Sequence, residues 1–204
     1  GLLGYVESND LTFSTMRRTV IGGSACPPAM MKMFQERYDV QVLHAWGMTE
    51  MSPVGTVAAL KGSQVDLPAA ERFAIQSKQG RAVYGVDMKI VGADGNELPW
   101  DGEHSGELMV RGPWIVSRYF KDEGGDPLVR DADGNGWFPT GDVATIDSSG
   151  FMQITDRSKD VIKSGGEWIG SIDLENIAMA HPCVQMAACI AATHAKWDER
   201  PLLI

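Results

Sequence analysis

Five short segments join small residues to polar side chains: "GGSACP" (22–27), "WGMTE" (46–50), "PTGD" (139–142), "DRSKD" (156–160) and "KSGGEW" (163–168). Any one of them alone reads as a turn or a solvated loop. Together, each at the end of an apolar segment, they suit a nucleotide. "GGSA" lets a main chain approach a base or phosphate without side-chain bulk. Trp46 offers a flat apolar face. Asp142 can accept from both hydroxyls of a ribose, and Arg157 adds charged donors beside it. Glu50 supplies a hard oxygen ligand for a cation bridging phosphates, with Thr49 donating to the phosphate next to it.

These groups need elements to bring them together. "RTVIG" (18–22) reads as a short strand, and Pro27 and Pro28 suit the first turn of a helix. Met31, Phe34 and Tyr38 recur at helical spacing, which predicts a core stripe. "VQVLHAW" then reads as a buried strand, so residues 18–47 form a strand, helix, strand unit of α/β type. A helix is predicted near Pro68 to Lys78. Residues 85–155 change to short strands separated by "ADGN" (93–96), "ADGN" again (132–135) and "SSG", which predicts a small antiparallel β subdomain. Two short strands ("DVIKS", "EWI") precede a helix with Ser171 as its N-cap, Asp173 and Glu175 in its first turn, and Leu174, Ile177 and Ala178 as its apolar face. "VQMAACIAA" and "PLLI" supply further strands. The polar run at 156–160 marks a domain boundary.

The chain has 204 residues, 44% of them hydrophobic and 22% charged, which predicts a packed globular core. A net charge of -9 with scattered Lys and Arg argues against nucleic acid as a partner. Cys26, Cys183 and Cys189 form no CxxC, and the histidines miss zinc-ligand spacing, so reduced thiols in a cytoplasmic protein are expected. No apolar run is long enough to span a bilayer. The abrupt start and finish suggest a chain cut from a longer one.

"WGMTE", "PTGD" and "DRSKDVIKSGGEW", in this order and at these separations, resemble the adenylate-forming superfamily. "GELMVRGPWIVSRYF" and "HAKWDERPLLI" look most like its bacterial medium- and long-chain fatty acyl-CoA ligase branch, including ligases for short sulfur-containing acids. The resemblance implies ATP-dependent activation of a carboxylic acid through an acyl-adenylate, then transfer to coenzyme A. It implies that residues 1–155 are the C-terminal portion of a large AMP-binding domain, 156–160 a hinge, and 161–204 the start of a small α+β lid. Gly23, Ser24 and Ala25 would line the acyl and adenine pockets. Trp46 would pack on the nucleotide, with Ala45, Gly47 and Met48 beside it. Thr49 and Glu50 would act on the α-phosphate and Mg²⁺, and Asp142, Ile154 and Arg157 would hold the nucleoside. Lys159 would be the pivot, and Lys163, Ser164, Gly165, Gly166, Glu167 and Trp168 the loop lining the coenzyme A tunnel.

The same resemblance marks what is missing. The Thr/Ser/Gly-rich phosphate loop expected upstream and the "SGK"-like lysine motif expected downstream are absent, and neither Lys163 nor Lys196 sits in such a motif. These residues alone are therefore expected to be inactive. An amino-acid- or aryl-acid-activating domain feeding a carrier protein, and a non-catalytic domain keeping the scaffold, are the alternatives. The partners implied are a small carboxylic acid, ATP and coenzyme A; a homo-oligomer is compatible with the sequence.

Overall fold

The computed structural model describes residues 1–204 apart from Ala25, Gly166, Ala180 and Pro182. Helix α1 (Leu2–Ser8) leads to strand β1 (Arg18–Ile21), and helix α2 (Pro28–Lys32) starts with Pro28 in its first turn, where a missing amide costs nothing. The helix continues as a wider π-helical turn over Met33–Arg37. Met31, Phe34 and Tyr38 all turn inward, as their spacing predicts, and join Val6, Cys26, Val40 and Val42 in one apolar cluster. Strand β2 (Gln41–Gly47) runs parallel to β1. Strands β3 (Val54–Val57) and β4 (Arg81–Ala82) extend this sheet antiparallel, in the order β1-β2-β3-β4. Between them lies α3 (Ala69–Ser77), inside the predicted helical stretch.

The next unit is antiparallel, as its turns predict. Strands β5 (Asp87–Val91), β6 (Gly106–Arg111), β7 (Val129–Arg130), β8 (Gly136–Ile146) and β9 (Met152–Arg157) form one sheet, with β8 pairing β6, β7 and β9. Its alternating inward residues, among them Met88, Ile90, Leu108, Val110, Phe138, Ile146 and Met152, make a second apolar cluster. Trp46 and Met51, from the end of β2 and the turn after it, are inserted in this cluster and so tie the first sheet to the second.

After the turn at 158–160, strands β10 (Ile162–Ser164) and β11 (Glu167–Ile169) form a hairpin. Helix α4 (Ser171–Met179) and strands β12 (Cys189–His194) and β13 (Asp198–Leu203) complete a third sheet, ordered β11-β10-β13-β12. Two expectations for α4 are corrected. Ser171 is the first helical residue rather than the cap, and the cap is the carboxylate of Asp156 on β9, which accepts the Ser171 amide at 2.6 Å. Ile177 is 72% exposed, because the buried face runs through Ser171, Leu174, Glu175 and Ala178 and leaves Ile177 off to one side. Among the described residues no helix is long and apolar enough to cross a membrane.

Candidate functional site

Strand β2 ends where the chain must turn sharply. The pairing of β2 with β3 shifts between Trp46 and Gly47, and a Cβ on Gly47 would lie 1.8 Å from the Pro53 carbonyl oxygen, so only glycine fits. Gly22 is also tightly placed: its Cβ would sit 2.9 Å from the Ala45 carbonyl oxygen. The loop after β1 is thereby held against the end of β2. On the facing sheet, Asp142 of β8 is the cross-strand neighbour of Arg157 of β9. These approaches enclose a cavity of about 330 Å³.

Nine of the residues expected to bind nucleotide line that one cavity: Gly23, Ser24, Ala45, Trp46, Gly47, Met48, Asp142, Ile154 and Arg157. Ala25, the remaining member of the glycine-rich group, lies outside the described residues. Thr49 and Glu50 follow Met48 on a 3₁₀ turn (Thr49–Met51) and are not among the lining residues. The Glu50 carboxylate accepts a hydrogen bond from the Tyr119 hydroxyl at 3.1 Å, and its carbonyl accepts the Val116 amide at 2.8 Å. Burial, with the Glu50 contact adding to it, pushes the Tyr119 phenol up.

Asp142 is the electrostatic centre of the cavity. It is 2% exposed, and burial pushes its carboxyl above the ordinary range, against the pull of Arg157 and of the Trp46 indole N–H. The indole donates to Oδ2 at 2.9 Å. Arg157 Nε lies 2.9 Å from Oδ1, which makes an ion pair by distance. That contact is not aligned as a hydrogen bond, and Oδ1 accepts none among the described residues. A buried acceptor left open on a cavity wall is suited to a hydroxyl donor from a ligand.

Sequence reasoning assigned no role to several lining residues. His44, 2% exposed, donates from Nδ1 to the Ser77 carbonyl at 3.0 Å, so Nε2 is the acceptor that faces the Cys26 amide at 3.4 Å. Burial holds its imidazole below the ordinary range, and the bonds link the loop after β1 to the end of α3. Gln79 Oε1 accepts the Ile154 amide at 2.7 Å and so fixes a lining residue. Ile172, Asp173 and Asn176 bring α4 to the same wall. The buried histidine at the head of "HAWGMTE" was a signal open to reading; the approach of α4 had none.

The other expected residues lie elsewhere. Lys159 is in the turn after β9, where the Asp160 and Val161 amides both donate to the Arg157 carbonyl at 2.9 Å. Lys163 and Ser164 are on β10, Gly165 is in the hairpin turn at φ +61, and Glu167 and Trp168 are on β11. Lys163 Nζ sits 5.4 Å from the centre of the Trp168 ring, and Gly165 lies so close under Trp197 that a Cβ would come within 2.6 Å of its ring. Gly166 lies outside the described residues.

A family model described as AMP-binding enzyme matches residues 4–120. The chain belongs to the AMP-binding enzyme family. Within the family it is 52% identical over 204 residues to a 3-methylmercaptopropionyl-CoA ligase of Ruegeria pomeroyi, a match covering all of this chain and 37% of that protein. It is also 52% identical over 204 residues to a medium-chain-fatty-acid–CoA ligase of Ectopseudomonas oleovorans, covering all of this chain and 36% of that one. Among solved structures, the o-succinylbenzoate CoA synthetase of Bacillus subtilis in complex with its acyl-adenylate intermediate superposes with a TM-score of 0.76 at 25% identity, covering 99% of this chain and 42% of that one. The chain thus spans a little over a third of the length of the curated relatives it matches.

Proposed function

We propose that this chain is the nucleotide-gripping part of an acyl-CoA ligase that forms AMP. The observation carrying the reading is the convergence of the glycine-rich loop, "AWGM", Asp142 and Arg157 on one cavity with a free buried acceptor. In this reading residues 1–155 belong to the large nucleotide-binding domain, 156–160 are the hinge with Lys159 as pivot, and 161–204 open the lid. The hairpin from Lys163 to Trp168 lines the path of coenzyme A, and the enzyme works in the cytoplasm.

The chemistry follows from the poor electrophilicity of a carboxylate. One carboxylate oxygen attacks the α-phosphorus of ATP, pyrophosphate leaves, and the acyl-adenylate acquires a good leaving group. The coenzyme A thiolate then attacks the acyl carbon and AMP departs, giving the thioester. Stabilisation of the crowded phosphorus is largely positioning and electrostatics. Asp142 would hold the ribose hydroxyls, Arg157 would add donors at the cavity mouth, and the small residues at 22–24 would let the main chain approach the base. Thr49 would donate to the α-phosphate.

Bound Mg²⁺ would supply charge neutralisation at the phosphates. Glu50 fits as one hard oxygen ligand: it is partly exposed, its carboxylate is oriented by Tyr119, and it follows the lining residue Met48 by two positions. Among the described residues no cluster of three or more His, Cys, Asp or Glu could hold a metal, so phosphate and water oxygens would complete the shell.

The test is a panel of carboxylic acids, beginning with 3-methylmercaptopropionate and C6 to C12 fatty acids, incubated with the intact enzyme, ATP and coenzyme A. At least one acid is expected to release AMP and form its thioester. AMP release from none of them rejects the ligase reading.

A further inference from the structure

Trp46 lines the cavity and is at the same time anchored in the core. Its side chain comes off the end of β2, only 9% of the residue is exposed, and its ring atoms Cζ3 and Cε3 press toward Gly55, where a Cβ would lie 2.7 and 2.9 Å away. It is packed with Met51, Val86 and other members of the antiparallel sheet's core. Its one polar group, the indole N–H, lies 2.9 Å from Oδ2 of Asp142, another lining residue.

Asp142 has two buried oxygens with different fates. Oδ2 is taken by the indole, whereas Oδ1 has only the ion-pair contact of Arg157 Nε and accepts no hydrogen bond among the described residues. A carboxylate turns freely about its last bond unless something distinguishes its oxygens. The indole does so, with a rigid donor delivered across 96 positions of sequence. The Asp142 amide is also held, donating to Thr140 Oγ1 at 3.1 Å, so backbone and side chain are both fixed.

We infer that Trp46 is a positioning residue for nucleotide binding: its indole N–H engages Oδ2 of Asp142 and thereby presents Oδ1 to the ribose hydroxyls. This rests on the ribose role proposed for Asp142 and goes beyond packing of an aromatic ring on the nucleotide. Removing the N–H leaves a buried oxygen unpaired and leaves the carboxylate held by the Arg157 ion pair alone, whereas removing only ring area would weaken contact with the base.

The two roles separate in a binding cycle on the intact enzyme. AMP and 2′,3′-dideoxy-AMP are titrated calorimetrically against the wild type, Trp46→Phe, and a protein with 3-benzothienylalanine at position 46, which keeps the indole shape but replaces N–H by sulfur. The wild type is expected to bind AMP more tightly than the dideoxy nucleotide. Both replacements should weaken AMP by about tenfold, the loss of one hydrogen bond to a charged group, and leave dideoxy-AMP nearly unchanged. Should the phenylalanine variant fail to fold, the isosteric replacement decides alone. Equal weakening of both nucleotides, or no weakening of AMP, overturns the positioning role. A wild type that binds the two nucleotides equally overturns the ribose role of Asp142 itself, and the inference with it.

Discussion

Asp156 on β9 holds the first turn of α4 through Ser171: one carboxylate oxygen accepts the Ser171 amide at 2.6 Å, and the other lies 3.2 Å from the Ser171 hydroxyl. Both residues are buried, Asp156 at 1% and Ser171 at 5% exposed. The carboxylate also accepts the Arg157 amide at 2.7 Å, so one side chain links the strand bearing Arg157 to the helix that brings Ile172, Asp173 and Asn176 to the cavity.

Replacing Asp156 by Ala should leave the first amide of α4 buried and unpaired, a cost of about 1–3 kcal/mol. Hydrogen exchange of residues 171–179 should speed up in the variant, and Asp156→Asn, which keeps one acceptor, should recover part of the protection. Unchanged exchange in Asp156→Ala would show that the helix does not depend on this cap.

Gly80 has φ +98, and a Cβ there would lie 2.1 Å from the Val57 carbonyl carbon and 2.2 Å from the Ala58 nitrogen. Gly80→Ala should therefore cost about 3 kcal/mol or more, because backbone has to move as well as adopt a strained φ. Gly95, at φ +79 with nothing within 4 Å, carries only the conformational cost, and Gly95→Ala should lose about 1 kcal/mol. Urea midpoints of the two variants provide the comparison, and equal losses would contradict the close approach at Gly80.

Asp142 should sacrifice stability for binding. Because burial raises its pKa, the folded chain keeps the proton longer than the unfolded chain as pH rises from about 3.9. Its contribution to stability therefore weakens through the window between that value and the raised one, and stays weak at neutral pH. Asp142→Asn, still able to accept the Trp46 N–H, should melt at or above the wild-type temperature at pH 7. ATP–pyrophosphate exchange should nevertheless fall by about 100-fold, as an amide NH₂ at the open position cannot accept a hydroxyl. A lower melting temperature at pH 7 would mean that the Arg157 ion pair outweighs desolvation.

His44 titrates in the opposite sense. Its pKa is lowered in the fold, so below about 6.5 the unfolded chain takes up a proton that the folded one resists, and stability is lost as pH falls from there. Protonation would also turn a second N–H against the Cys26 amide. From pH 7.5 to 5.5 the wild type should lose about 1 kcal/mol in urea denaturation, and His44→Gln, which offers a donor and an acceptor without a charge, should lose less. Parallel curves for the two proteins would exclude His44 as the titrating group.

Local pattern alone determined much of this protein. The Met31, Phe34, Tyr38 stripe, Pro28 opening α2 and the alternating strands of 85–155 all follow from a period or a turn residue within a few positions, because neighbours along the chain set those constraints. The residue types of "WGMTE", "PTGD" and "DRSKD" likewise singled out Trp46, Asp142 and Arg157, which share one cavity. Tertiary structure alone decided which group meets which. It gave the Trp46 N–H to Asp142, gave the Asp156 carboxylate to a helix that had been credited with its own serine cap, and left Ile177 in solvent despite its apolar side chain. Those outcomes depend on how separate sheets close on one another, and a hydrogen bond across 96 positions leaves no mark in the spacing of either partner.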